Sequence, residues 1–297
     1  MLENYSKNLR ILITGADGQL AKALRLYIPK EIKTFYLTKK DLDLSSNELC
    51  FELVKKIKPS WIINCGAYTN VDKAESEKDL AYSINALAPK ALVSALREFS
   101  GRLMQISTDY VFSGDKGSAY QTFDKKEPLS IYGESKSQGE ENALKLDGSI
   151  IIRTSWLYGP VGRNFLLNLI QLHSQKREIG VISDQISCPT STHSLAKACW
   201  EIISKDLDEK IIHWSDCGVA SWYDFAFAIG ELASKKGILR SPARTFPIRS
   251  SDFKSIAERP KYSLLNCFNS YELLKYRPKH WSQELSHILD IYSGKSF

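Results

Sequence analysis

Tyr132 and Lys136 stand four residues apart, a spacing that places both side chains on one face of a helix, one above the other. A phenol beside an ammonium suits acid–base work at a carbonyl or alcohol oxygen. Alone it titrates near ~10, and the neighbouring positive charge is expected to stabilise the phenolate and lower that value. Upstream, the apolar run Leu103-Met104-Gln105-Ile106 brings the hydroxyls of Ser107 and Thr108 to a turn with Asp109. The group reads as an active site for hydride transfer.

The elements that must hold these side chains begin with Arg10-Ile-Leu-Ile-Thr14, which runs into Gly15-Ala-Asp-Gly18-Gln-Leu-Ala21, while Leu20, Ala23, Leu24 and Tyr27 recur at helical spacing. This is strand, glycine turn, helix. Gly15 allows the tight turn, Gly18 a close approach of backbone to a pyrophosphate, and Ala21 close packing of helix on strand; phosphates then meet free N–H groups at the positive helix end. After a second strand over Thr34–Leu37, the chain reads Thr38-Lys39-Lys40 where an NAD-specific fold places an acidic residue. A hydroxyl and two cations there favour a 2′-phosphate, hence NADP(H) over NAD(H). Asp41 or Asp43 could still reach a ribose, so NADH stays open.

Ser46 is placed to cap a helix with Leu49, Leu53, Val54 and Ile57 that stops before Pro59. Trp61–Asn64 reads as a buried parallel strand opening into Cys65-Gly66-Ala67, where a cofactor ribose could lie against small residues. Thr69, Asp72 and Glu75 are either part of that site or only a turn and helix start. The spacing predicts one helix over 79–99, with Asn85 either exposed or bonded to a neighbouring loop. After the Tyr132 helix, Ser149–Arg153 reads as a further strand, followed by Trp156. Helices are expected around 163–174, 193–204 and 221–235, with strands at 179–182 and 211–214. The expected fold class is α/β: a Rossmann-like doubly wound parallel sheet over 8–160, with later segments returning to it, and a smaller, mainly substrate-binding lobe over 161–297.

A composition of 43% hydrophobic and 25% charged residues is that of a globular protein. The net charge of +6 is scattered, which suits an anionic small ligand and argues against nucleic acid. Six cysteines without CxxC or Cys/His spacing support neither a zinc site nor a redox motif. No stretch reaches the ~18 apolar residues of a membrane span, and the N-terminus has no apolar signal core, so a reduced cytoplasmic protein is expected.

With the glycine turn, Ser107-Thr108-Asp109 and Tyr132-x-x-x-Lys136 in that order, the chain resembles the extended short-chain dehydrogenase/reductases and, within them, the dTDP-4-dehydrorhamnose reductase family. The narrower likeness is carried by Ala67-Tyr68-Thr69-x-Val71-Asp72-Lys73-Ala74-Glu75, Tyr110-Val111-Phe112, Arg153-Thr154-Ser155-Trp156-x-Tyr158, Asp184-Gln185, Pro189-Thr190 and Arg259-Pro260. It implies reduction of the C4 ketone of a dTDP-6-deoxy-4-hexulose by NADPH. Tyr132 would donate the proton, Lys136 would hold the nicotinamide ribose, and Thr108 would polarise the ketone, with Ser107 the neighbouring alternative. The cofactor would rest on Gly15, Asp17, Gly18, Gln19, Leu20, Thr38, Lys39, Asp43, Leu44, Ala67, Tyr68 and Thr69 besides Tyr132 and Lys136. The nucleotide sugar would meet Ser107, Thr108, Trp156, Asn164, Gln185 and Arg259, an arginine suiting the diphosphate.

Some members of this family dimerise through magnesium bound by glutamates, one on the first helix. Here that helix reads Lys22-Ala23-Leu24-Arg25, so no metal and a monomer or weak homodimer are expected. Two rival readings fit the same residues. A relative of the family is a non-catalytic NADP-binding regulatory subunit of methionine adenosyltransferase, and other superfamily members are nucleotide-sugar epimerases or dehydratases.

Overall fold

A computed structural model describes residues 9–30 and 32–294; Asn8 and Glu31 of the first expected domain, 8–160, and the last three residues of the second lie outside the described residues. The chain opens with β1 (Arg10–Thr14), α1 (Gln19–Leu26), β2 (Lys33–Leu37), α2 (Asn47–Ile57) and β3 (Trp61–Asn64). A short α3 (Val71–Ala74) precedes α4 (Lys78–Tyr82), a π-helical turn (Ser83–Leu87) and α5 (Ala88–Leu96). β4 (Arg102–Thr108), a 3₁₀ turn (Asp109–Val111), α6 (Ile131–Ala143) and β5 (Ile150–Thr154) follow. Beyond them lie β6 (Leu157–Tyr158), α7 (Phe165–Gln175), β7 (Glu178–Ile182), β8 (Ile186–Ser187), β9 (Thr190–Ser191), α8 (Thr192–Ser204) and β10 (Ile211–Trp214). The chain closes with β11 (Ala220–Ser221), α9 (Trp222–Lys235), β12 (Arg244–Ile248), α10 (Phe268–Leu274) and α11 (Trp281–Tyr292).

Six strands form a parallel sheet in the order β10-β5-β4-β3-β1-β2. Its central strands β1, β3, β4 and β5 are buried on both faces, as helices on both sides require, while the edge strand β2 is only half-buried. Ile11, Ile13, Ile63, Met104, Ile150 and Ile152 face α1, α8 and Trp214. The alternate residues Leu12, Ile62, Leu103 and Ile151 face α2 and α5. The strand order reverses between β1 and β3, and at such a switch point the loops at the carboxyl ends part to leave a ligand crevice. A third apolar cluster joins α7, α9 and α11 to β7 through Leu166, Leu169, Val181, Phe225, Ile229, Leu285 and Ile288. α8, β10 and α10 belong instead to the main sheet's packing.

Two local expectations are corrected. β4 continues through Thr108, so Ser107 and Thr108 end a strand and the turn begins at Asp109. The helix expected over 79–99 is broken by a π turn around Asn85. Pro89 explains the break: it has no N–H to offer the carbonyl four residues earlier, and its ring crowds that carbonyl. The carbonyl is that of Asn85, and it turns toward α6. There Gly139 makes room, since a Cβ on it would lie 2.1 Å from the Asn85 oxygen. Ser46 sits at the N-cap of α2 but makes no side-chain capping bond, whereas Ser221 caps α9 as expected, in a capping box with Asp224.

Gly139→Ala forces either the π turn or α6 to move, and is expected to destabilise the protein by roughly 1–3 kcal/mol. Urea unfolding measures it; an unshifted midpoint would show that the two helices are not in the contact described.

Candidate active site

The first turn of α6 is fixed from two sides. Ser130 accepts from the Gly133 N–H at 3.3 Å, and the Ile131 N–H donates to Glu75 at 2.9 Å. Tyr132 and Lys136 thereby face a cavity of about 570 Å³ at the carboxyl end of the sheet, shared with Ser107, Thr108, Gly15, Gly18 and Trp156. The Lys136 ammonium donates to the Ile106 carbonyl at 2.5 Å, and burial pulls its pKa down to about 8. The phenol behaves differently from expectation. Loss of water pushes Tyr132 up to about 12, with the Thr108 hydroxyl pulling the other way and Asp109 pushing further up. Lys136 is directed at Ile106, and desolvation outweighs any acidification of the phenol. A phenol that holds its proton at neutral pH is a proton donor, the role that reduction of a ketone requires.

The two hydroxyls of β4 are not equivalent. Ser107 donates to Glu140 at 2.6 Å and is tied into the buried Glu140–Arg153 pair. Thr108 is held by long bonds, to Asp109 at 3.2 Å and from the Tyr110 N–H at 3.2 Å, and its hydroxyl also lies beside the Tyr132 phenol, which leaves it the better placed to polarise a carbonyl. Burial pushes Asp109 up to about 7, against hydroxyl bonds from Ser263, Thr108 and Ser187.

At the glycine turn, Gly15 has φ +62, and a Cβ on it would lie 2.8 Å from Gly66 Cα; two bare loops meet at the switch point. Asp17, Gln19, Leu20, Lys39, Ala67 and Thr69 line the same cavity. Thr38, Asp43, Leu44 and Tyr68 do not line it. Thr38 is bound by Asp41 at 2.9 and 2.7 Å, Asp43 by Ser45 at 2.9 and 2.8 Å, and Leu44 packs under Gly66. Tyr68 is held through its backbone by Asn85, which accepts its N–H at 2.9 Å and donates to its carbonyl at 3.1 Å. Asn85 also donates to Ser135 at 3.0 Å, and Ser135 to the Tyr132 carbonyl at 2.9 Å. The residue left undecided from sequence therefore ties the loop carrying Tyr68 to the Tyr132 helix.

Asn164 is engaged structurally. It caps α7 through Leu167 N–H at 3.0 Å and donates to Gln19 at 2.7 Å and Gly159 at 3.0 Å. Gln19 in turn donates to the Arg163 carbonyl at 3.2 Å, so the 159–164 loop lies over the dinucleotide turn and brings Arg163 into the cavity wall. Trp156 has φ +46, a strained conformation for a bulky side chain, and stacks on Trp222 at 3.6 Å. Trp222 lines a second cavity of about 350 Å³ with Gln185 and Arg259. Gln185 donates to Ser250 at 3.1 Å, and the Arg259 fork is engaged by Asp72 at 3.2 and 2.8 Å.

The donor set suits a dinucleotide. Bare glycine backbone meets at the crevice, Lys39 and Arg163 supply positive charge, and the buried Thr154 hydroxyl in the cavity wall has no partner. Among the described residues, no group of three His, Cys, Asp or Glu side chains could hold a metal ion, and no helix is long and apolar enough to cross a membrane. All six cysteines are free.

Comparison with known proteins agrees with this geometry. The family described as RmlD substrate binding domain matches residues 9–293. A dTDP-4-dehydrorhamnose reductase of Aggregatibacter actinomycetemcomitans is 34% identical, over 94% of this chain and 98% of its own. The crystal structure of a dTDP-4-dehydrorhamnose reductase from Clostridium acetobutylicum superposes with a TM-score of 0.89 at 36% identity, covering 96% of this chain and 100% of that one. That of the Bacillus anthracis enzyme, in complex with NADP, does so with a TM-score of 0.88 at 36% identity, covering 95% and 98%.

The lowered pKa of Lys136 gives a pH test. Between about 8 and the ordinary value of 10.5, the unfolded chain holds a proton on this lysine that the folded ligand-free protein does not. Stability contributed at this position therefore rises with pH across that window. Unfolding free energies of wild type and Lys136→Met, measured at pH 8 and pH 10, should move apart in favour of wild type; parallel curves would contradict the lysine's desolvation.

Proposed function

The chain belongs to the RmlD substrate binding domain family, and from that membership we propose that it catalyses the NADPH-dependent reduction of dTDP-6-deoxy-L-lyxo-4-hexulose at C4. The product is dTDP-L-rhamnose, and the reaction is the last step in making that activated sugar. The observation that carries the reading is the convergence of Thr108, Tyr132 and Lys136 on the cavity lined by the glycine turn.

Bound NADPH supplies the hydride. Tyr132 donates its proton to the carbonyl oxygen as negative charge develops there, and the Thr108 hydroxyl stabilises the same oxygen. Lys136, four residues further along the same face, holds the cofactor's ribose and keeps positive charge beside the phenolate left behind. Gly15, Gly18 and the start of α1 receive the pyrophosphate, and Lys39 the 2′-phosphate. Trp156, braced by Trp222, forms an apolar wall for the sugar. The second cavity, lined by Phe165, Leu169, Val181 and Trp222, accommodates the nucleoside end. We also read the protein as cytoplasmic and as a monomer or weak homodimer, a state that light scattering tests.

Mixing the protein with NADPH and the 4-keto sugar nucleotide should consume NADPH absorbance, and Tyr132→Phe should lower kcat by roughly 10²–10⁴-fold. Full turnover in that variant would remove Tyr132 as proton donor. Absence of turnover in wild type, with NADPH still bound, would favour a regulatory binding role. Lys39→Ala should weaken NADPH binding about tenfold and leave NADH unchanged, the difference being one charge-assisted contact. Fluorescence titration with both nucleotides reads it.

A further inference from the structure

We infer that Asp72 and Arg259 are positioning residues for the proton donor, acting on Tyr132 through Tyr110; this rests on the reductase reading above. Asp72 lies on α3, directly after the cofactor loop. Its Oδ1 accepts from the Ile256 and Ala257 N–H groups, both at 3.1 Å. The same carboxylate takes the Arg259 fork at 3.2 and 2.8 Å, while Arg259 also donates to the Ala257 carbonyl at 3.0 Å. One side chain of the main domain thus pins a strap that arrives from the other lobe more than 180 residues later in sequence.

The pinned guanidinium lies beside the Tyr110 phenol; burial, and then Asp109, push that phenol's pKa up, and Arg259 opposes them. Tyr110 in turn sets its ring edge on Tyr132, with centroids 5.7 Å apart and planes at 78°. Its carbonyl fills the space that Gly133 leaves bare, 2.3 Å from where a Cβ would stand, and its N–H holds Thr108 at 3.2 Å. Tyr110 therefore touches both residues that face the reacting carbonyl oxygen. It is wedged between them and a guanidinium held by the Asp72 carboxylate and the Ala257 carbonyl. α3 grips the catalytic helix a second time, since Glu75 just beyond it accepts the Ile131 N–H at 2.9 Å.

Asp72 and Tyr110 line neither cavity. Any effect they have on the chemistry is therefore indirect, and the contacts run from Asp72 through Arg259 to Tyr110 and from there to Tyr132 and Thr108. If Arg259 served solely to bind the substrate's diphosphate, the Tyr110 hydroxyl would be idle.

Asp72→Asn keeps an oxygen for the two strap N–H groups but removes the charge that orients Arg259. Tyr110→Phe keeps the ring edge and removes the hydroxyl. For wild type, both single variants and the double variant, three quantities separate the cases: kcat, KM for the 4-keto sugar nucleotide, and the NADPH dissociation constant from fluorescence titration. Each single change should lower kcat about tenfold, a fraction of what a positioned general acid contributes. KM and the NADPH constant should stay within about twofold, and the double variant should be no slower than the slower single one, as expected of groups acting in one chain. A wild-type kcat in Tyr110→Phe, a rise confined to KM in Asp72→Asn, or losses that multiply in the double variant would each overturn the inference. Inactive wild type would overturn the reductase reading first and this one with it, and the intact single-variant comparison tells the two failures apart.

Discussion

The site depends on how α6 is seated against β4, and that seating turns on one buried carboxylate. Glu140 is fully buried and Arg153 nearly so. Desolvating such a pair is compensated only when the geometry is good and every remaining donor and acceptor is satisfied. Here Glu140 accepts Ser107, Arg153 Nε and Arg153 Nη2 at 2.6, 2.9 and 2.8 Å. Arg153 passes its other donors to the Thr122 carbonyl and to His213, and its plane lies over Phe112. Glu140 is one helical turn beyond Lys136, so the bond that fixes the carboxylate also fixes the azimuth of the face carrying Lys136 and Tyr132. Removing Arg153 would leave the buried Glu140 to Ser107 and to the more distant Lys126 ammonium at 3.6 Å, and losing one partner of such a pair costs up to ~3–5 kcal/mol. The pair is better understood as setting the rotation of α6 than as adding net stability.

A second constraint, the π turn at Ser83–Leu87, works at right angles to the first. Pro89 frees the Asn85 carbonyl, Gly139 receives it, and the widened turn directs the Asn85 amide at both Tyr68 and Ser135. An uninterrupted helix would rotate that amide away. The loop carrying Tyr68 and the Tyr132 helix are therefore in register because a helix between them is locally imperfect, as π turns at functional sites often are.

Much of this was legible in the sequence where the signal is local. The glycine turn, the i, i+4 Tyr–Lys pair and the alternation of Ile11, Leu12 and Ile13 between two packed faces follow from periods of 3.6 and 2, and the sheet and the α7, α8 and α9 helices appear close to where the periodicity puts them. What stayed illegible depends on partners far apart in sequence. Asn164 and Arg259 have ligand-like chemistry, but whether their donors are free is decided by Gln19 and Asp72, more than 140 residues away. Arg163 gave no sign of itself because its place in the cavity wall follows from the Gln19 contact with the loop it sits on. The π turn is the exception. Pro89 stood four residues after Asn85, and a proline at that distance is a readable reason for a helix to open there.

The electrostatics of the site follow from one cause acting on two groups of opposite charge type. Exclusion of water raises Tyr132 and lowers Lys136, since each is pushed toward its neutral form. The phenol is therefore protonated near neutral pH while the lysine still carries its charge. That combination is asymmetric with respect to direction. A protonated phenol can give up its proton as soon as an alkoxide begins to form, and the ammonium one turn away limits the energy of the phenolate that results. For the reverse reaction the phenol would have to be ionised beforehand, against the same desolvation.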